Sequence, residues 1–369
     1  MSIREEDSRT IDLLRFPLVI CVVFIHTLCP FDAVCLSESD HSLLSGHGMT
    51  NAIMWIMKYS ATSIANPGFF LISGYLFFTG MSRWDFGLYK RKLKSRFKSL
   101  FIPYILWNLI PLTIILGIYF LTGQIEDTDT INNPVNAFWN CHSHLYPLNV
   151  PLWFVRDLII AAVMSPVYYF MIKRAGIVVL LLLFIYYLIS NYDFMTIRGM
   201  HPACMFFFCL GGYLQLKNKS LTETTWKYKY TLLLLALISL ALFIYYGKIH
   251  NDLFRKTYNL FGLPTAINIA FWLTKRYGIK ANSFLLRCGF FVCAFHVCYL
   301  HQGNLLTKST NLCKHILNGV PHMDAVQYLL PPFICIGICM LVFYLLQKNA
   351  PTVCNILTGN RATTNNNRK

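Results

Sequence analysis

The chain has 369 residues, of which 56% are hydrophobic, 15% aromatic and only 13% charged; an ordinary soluble domain carries roughly twice that charged share, so composition excludes one. The 32 Lys and Arg against 16 Asp and Glu leave a net charge of +16, but the surplus is scattered between apolar runs instead of forming the basic face of a soluble module, which argues against a nucleic-acid partner. What remains is an all-α, polytopic membrane protein.

In chain order, ten apolar runs have about the length a bilayer demands: residues 13–32, 60–79, 100–121, 151–172, 176–192, 200–216, 229–246, 254–273, 283–302 and 326–347. A short N-region of mixed charge (Arg4, Glu5, Glu6, Asp7, Arg9) leads into the first run without a small-residue cleavage site, so that run is expected to stay in the membrane. With the N-terminus inside, most Lys and Arg fall in inner segments, the positive-inside pattern, and both termini are expected in the cytoplasm. The densest basic cluster, Arg83 followed by Lys90, Arg91, Lys92, Lys94, Arg96 and Lys98, lies between the second and third runs. It serves topology and anionic headgroups, or holds a phosphorylated cytoplasmic donor. The stretch 122–150 has no Lys or Arg and carries Glu126, Asp127 and Asp129, as an outer loop would. Residues 1–348 form one membrane domain, and the polar stretch 349–369 is expected to be a disordered cytoplasmic tail.

Proline and glycine interrupt several runs, at Asn66-Pro67-Gly68, Pro111, Pro166 and Pro264. Such breaks are tolerated at membrane depth where backbone is buried in protein or lines a cavity. No internal repeat of the kind many transporters show is visible. The thirteen cysteines include no C-x-x-C pair and are assigned to packing. Cys35, Cys141 and Cys313 fall in outer loops, and three candidates do not choose a disulfide.

Ionisable groups inside a membrane run are functional candidates by default, because burying them in lipid is costly. The first run holds two, Arg15 and His26. Eleven residues at about 100° each bring them back to within roughly 20° of one direction, about 16 Å apart along a helix. The alternatives are that Arg15 snorkels to the inner interface and pairs with Asp12 three residues earlier, and that His26 only bonds a neighbouring helix.

The Asp12, Arg15 and His26 pattern resembles the first-helix signature of the membrane acyltransferase-3 family, integral-membrane O-acyltransferases that include O-acetyltransferases of bacterial surface glycans. Five further fragments follow in the family's order: NPGFFLISGYLFF (66–78), YKRKLKSRFKSLFIPYILWN (89–108), PLWFVRDLIIAAVMSP (151–166), FFFCLGGYL (206–214) and FFVCAFH (290–296). Cys293 departs from the Tyr often found there, and the esterase-like domain fused to some members has no counterpart.

The resemblance implies a bacterial inner-membrane enzyme that moves an acyl group, acetyl by expectation, from cytoplasmic acyl-CoA to a hydroxyl of an envelope glycan or glycolipid. Acyl-CoA is a co-substrate, and neither a bound cofactor nor a metal is implied. Such transfer needs a base for the hydroxyl proton and positive charge or donors at the carbonyl oxygen. His26 suits the first task, and Arg15, with Arg91 and Lys94 from the basic cluster, suits the donor. Arg156 beside Trp153, together with His201 and His296, would support the acceptor or the oxyanion. Ser73-Gly74-Tyr75 lacks the flanking glycines of a hydrolase elbow and fits close helix packing. Tyr104 and Trp107 fit packing or the lining of a donor tunnel. A transporter or flippase for a glycolipid or small organic anion is the alternative from another class, and a noncatalytic scaffold is a third.

Overall fold

A computed structural model of the chain describes residues 3–27, 56–57, 61–123, 128–139, 146–190, 199–246, 251–299, 303–317 and 324–361. Among these the architecture is all-α, with one isolated bridge between Tyr299 and Asn304. The principal helices are α1 (Glu5–Ile25), α2 (Ala65–Phe77), α3 (Phe86–Arg96), α4 (Ile102–Thr122), α5 (Trp153–Val163), α6 (Ser165–Ile189) and α7 (Pro202–Leu216). They continue with α8 (Leu221–Trp226), α9 (Lys229–Tyr246), α10 (Asn251–Tyr277), α11 (Ser283–Phe295), α12 (Leu305–Ile316), α13 (Asp324–Asn349) and α14 (Pro351–Leu357).

Three stretches, Phe86–Thr122, Ser165–Ile189 and Ala325–Asn349, are long and apolar enough to cross a membrane. Shorter apolar helices occupy Pro202–Leu216, Lys229–Phe243 and Ser283–Phe295. Within the described residues the other expected spans are largely helical but shorter or more polar: α2 has 13 residues, α1 carries Asp12 and Arg15, and α10 carries Asn259, Thr265 and Asn268. The fourth and fifth expected runs are not separate helices: the fourth is broken between α5 and α6 at Met164, and the two meet inside α6, which is kinked at Ala175 (φ −144°, ψ 45°).

Two expectations change. The helix of the third run begins well before residue 100, because the basic segment is itself helical: Asp85 caps α3 by accepting from Leu88 N at 3.0 Å, and α3 passes through a π-turn at Phe97–Phe101 into α4. Straight-chain Lys and Arg are good helix formers, which is why charge alone misplaced the boundary. The tail is ordered as far as residue 361: α14 follows Ala350, Cys354 and Thr358 are buried, and Trp107 Nε1 donates to Leu357 O at 2.9 Å. Residues 362–369 lie outside the described residues.

Close packing rests on small residues where helices cross. A Cβ on Gly74 of α2 would sit 2.0 Å from Phe208 O, and one on Gly211 of α7 would sit 2.1 Å from Leu71 O. The start of α1 is fixed by Asp7, whose fully buried carboxylate accepts from Tyr75 OH at 2.6 Å, Ser220 Oγ at 2.9 Å, Leu221 N at 3.3 Å, Thr222 N at 2.9 Å and Thr222 Oγ1 at 2.7 Å. One carboxylate thereby joins α1 to α2 and to the start of α8.

Candidate functional site

Residues Asp12, Arg15, Phe16 and Val19 of α1 form one wall of a cavity of about 500 Å³. Arg15 Nη1 donates to Asp12 Oδ1 at 2.8 Å, so the interfacial pair considered from spacing does form. It also faces the cavity, which a purely snorkelling arginine would not. Three more guanidiniums reach the same space: Arg96 at the end of α3, Arg287 from α11 and Arg361 beyond α14. Among the described residues Asp12 is the one carboxylate in the lining. The rest of the wall is largely apolar, with Phe69, Leu100, Phe154 and Phe290. In such surroundings a charge interacts more strongly than it would in water.

The structure departs from the sequence reading at the basic cluster. Arg91 and Lys94 are exposed and outside the lining, whereas Arg96 and Ser99 face the cavity. Arg96 ends α3 and Ser99 and Leu100 lie in the π-turn that follows, and all three face the cavity. Lys94 and Arg91 lie two and five residues before Arg96, about 160° and 140° away from it.

His26 and His296 continue the stripes that line the cavity. Seven residues beyond Val19 on α1 comes His26, a step that returns to nearly the same face, and three beyond Cys293 on α11 comes His296. Their ring centroids are 5.5 Å apart. His26 ends α1, its N–H bonded to Val23 O at 3.2 Å. His296 is fully buried, and its Nδ1 lies 3.0 Å from Val292 O. A carbonyl only accepts, so Nδ1 carries the proton and Nε2 is left as an acceptor. That Nε2 is buried without a hydrogen-bond partner among the described residues.

A second constellation surrounds Trp153. His201 packs on its ring at 5.0 Å, with Phe70 and Tyr146 edge-on at 6.0 and 6.2 Å. Burial pushes the Tyr146 phenol up to about 12, so it stays a neutral O–H donor at physiological pH. His201 Nδ1 accepts from Ala203 N at 3.2 Å and so caps α7, while its backbone N–H donates to Asp157 Oδ2 at 3.0 Å. Arg156 is buried; its Nε and Nη2 lie 3.2 and 3.1 Å from Asp157 Oδ1. Its Nη1 donates to Trp139 O at 2.7 Å, and the group stacks 5.1 Å from the Trp139 ring. These bonds tie the chain before α5, α5 itself and the start of α7 together. The Arg156–Asp157 pair is the local charge pair that their adjacency in sequence offers, whereas the bond to Trp139 O and the cap supplied by His201 are visible only in the structure.

Asn149 links the two constellations and was not singled out from sequence. Its Nδ2 donates to Trp107 O at 3.1 Å and Ala294 O at 2.9 Å, and its N–H donates to Asn108 Oδ1 at 2.9 Å. It holds the segment leading to Trp153 against α11 two residues before His296. Asn108, polar within an apolar run, was the available signal. Tyr104 donates its hydroxyl to Phe138 O, so it and Trp107 are packing and tethering residues outside the cavity lining. Ser73 faces the cavity while Gly74 faces the α7 backbone. Among the described residues no three metal-ligating side chains cluster. Cys313 is buried in α12; Cys35 and Cys141 lie outside the described residues.

A helical membrane protein whose cavity gathers guanidiniums beside a histidine pair is suited to handling an anionic ligand next to a proton acceptor. A family model described as an acyltransferase domain matches residues 9–295, and the chain belongs to that family, acyltransferase-3. The chain is also similar to the succinoglycan biosynthesis protein ExoH of Rhizobium meliloti (strain 1021), 24% identical over 374 residues, covering 96% of this chain and 92% of the relative. No solved structure matches. The protein is a membrane acyltransferase.

Proposed function

We propose that the protein transfers an acyl group, acetyl by expectation, from cytoplasmic acyl-CoA to a hydroxyl of an envelope polysaccharide or its lipid-linked precursor, in the inner membrane of a bacterium with both termini inside. The observation that carries this reading is the alignment on α1: Arg15 in the cationic cavity, and His26 on the same face about 16 Å further on, against His296 at 5.5 Å between centroids. Guanidiniums match phosphate oxygens in charge and fork geometry, so the cavity suits the nucleotide end of the donor. The thioester then extends toward the histidines.

There His26 accepts the proton of the attacking hydroxyl as the oxygen adds to the thioester carbonyl. Collapse of the adduct forms the ester and expels coenzyme A, whose sulfur takes a proton. His296, whose ring is oriented by the bond of Nδ1 to Val292 O, stands beside His26 with Nε2 turned away from that bond. Trp153 and Tyr146 offer an aromatic face and a hydroxyl donor to a sugar, while Arg156 and Asp157 hold that surface in place. The name of the succinoglycan relative supports a polysaccharide acceptor.

The test is release of free coenzyme A by purified protein given acetyl-CoA and an envelope-glycan acceptor, beside a His26→Ala variant. Acceptor-dependent release that disappears in the variant supports the reading. Full activity in a well-folded His26→Ala protein removes His26 from the chemistry, and no release with any of several acyl donors removes the activity.

A further inference from the structure

The segment after α14 lies outside residues 9–295 that the family model matches, yet it is built into the cavity. Trp107 Nε1 holds Leu357 O, and Thr358 is fully buried. Gly359 and Asn360 then take φ +64° and +63°, turning the chain inward. Gly359 rests on the π-turn so closely that a Cβ there would lie 2.4 Å from Ser99 O, and its positive φ suits glycine. The turn delivers Arg361, whose guanidinium stacks 4.5 Å from the Phe290 ring and whose Nη1 donates to Thr358 O at 2.8 Å.

This placement is electrostatically costly without an anion. Arg361 joins Arg15, Arg96 and Arg287 around one space in which Asp12 supplies the single carboxylate among the described residues, and Asp12 is bonded to Arg15. Arg287 Nε is buried without a hydrogen-bond partner among the described residues. Burial, and then the repulsion of Arg96 and Arg15, lowers Arg361 to about 9, still a cation at neutral pH. Like charges converge in low-dielectric surroundings only where something negative answers them.

We infer that the C-terminal segment 358–361 is a wall of the donor site and that Arg361 is a donor-binding residue that grips a phosphate of the acyl-CoA. The inference rests on the donor assignment above and deepens it. Stacking on Phe290 and the bond to Thr358 orient the guanidinium, leaving its remaining N–H groups for phosphate oxygens. Gly359 fixes the turn that brings it there.

The experiment uses the full-length protein in detergent or nanodiscs. In Arg361→Gln the KM for acyl-CoA should rise about tenfold or more, the loss expected for a charge-assisted bond. The KM for the acceptor should stay within about twofold, and Arg361→Lys should recover part of the loss. Unchanged donor KM in Arg361→Gln overturns the inference while leaving the donor assignment standing. A second measurement needs no variant: free coenzyme A should slow tryptic cleavage after Arg361, read by intact mass, but not cleavage after Arg368. Equal rates with and without coenzyme A overturn it. Protection by nanodiscs rich in anionic lipid, equal to that given by coenzyme A, assigns the cluster to headgroups and overturns it as well. Wild-type protein that neither binds coenzyme A nor turns over acyl-CoA overturns the donor assignment and, with it, this inference.

Discussion

Asp7→Asn is the substitution from which the fold should suffer most for the smallest change in shape. The carboxylate is fully buried and takes five hydrogen bonds, three on Oδ1 from Ser220 and Thr222 and two on Oδ2 from Tyr75 and Leu221. Bonds to a charged group contribute about 1.5–3 kcal/mol each and neutral ones about 0.5–1.5 kcal/mol. In its better orientation Asn keeps the three Oδ1 bonds as neutral ones, losing about 1 kcal/mol apiece. Its NH2 then faces Tyr75 OH, which can rotate to accept, and Leu221 N–H, which cannot and is left unpaired at a further cost of about 1–3 kcal/mol. The sum is about 4–6 kcal/mol, several degrees or more of thermal stability for a chain of this size, read by melting in detergent. Tyr75→Phe, which removes one bond, should cost about 1–3 kcal/mol, and Glu6→Gln on the exposed side of α1 should be neutral. Since Arg15 lies eight residues along the same helix, Asp7→Asn should also raise the donor KM. A melting temperature within about 1 °C of wild type would refute the idea that this carboxylate anchors α1.

Other outcomes follow from single contacts. Arg91→Gln and Lys94→Gln should leave the donor KM within about twofold, while Arg96→Gln should raise it about tenfold; the reverse order in steady-state kinetics would put the donor on the exposed face of α3. Gly211→Ala, whose Cβ would sit 2.1 Å from Leu71 O, forces α2 and α7 apart and should cost about 3 kcal/mol or more, seen as loss of monodisperse protein in size-exclusion chromatography. His296→Ala should lower kcat by about 10²–10⁴ with little change in donor KM; a kcat near wild type would leave His296 a packing residue.

What the sequence made legible was periodic. The stripe from Arg15 to His26 could be read because a straight helix repeats its faces, and the all-α class because apolar runs of bilayer length have few alternatives. The partners on that stripe were harder. His296 and His201 were equivalent candidates in the sequence, and only the packing of α11 on α1 separates His296 from His201, whose ring nitrogen instead caps α7. Arg96 was hidden within a cluster where every cation looked equivalent until the phase of α3 was known. Asp7 read as one charge in a mixed N-region, since its partners lie on residues 75 and 220–222. Arg361 gave no signal at all: a polar, Asn-rich end has the composition of a disordered tail, and only tertiary contacts with Trp107, Ser99 and Phe290 order it.

The separation between the cations and the histidines sets a length requirement on the donor. Arg15 and His26 are about 16 Å apart along α1, so one ligand engages both only if its charged end and its reactive carbonyl are held apart by an extended arm. A compact donor such as acetyl phosphate places charge and carbonyl within a few bonds, and a short acyl thioester of cysteamine has the carbonyl without the phosphates. Remote binding energy is what positions the reacting carbonyl, so truncation should lower kcat as well as raise KM. Both small donors should therefore fall below acyl-CoA by roughly 10³ or more in kcat/KM, the order that lost positioning produces. Comparable kcat/KM for either would show that the arginine cavity and the histidine pair do not serve the same ligand.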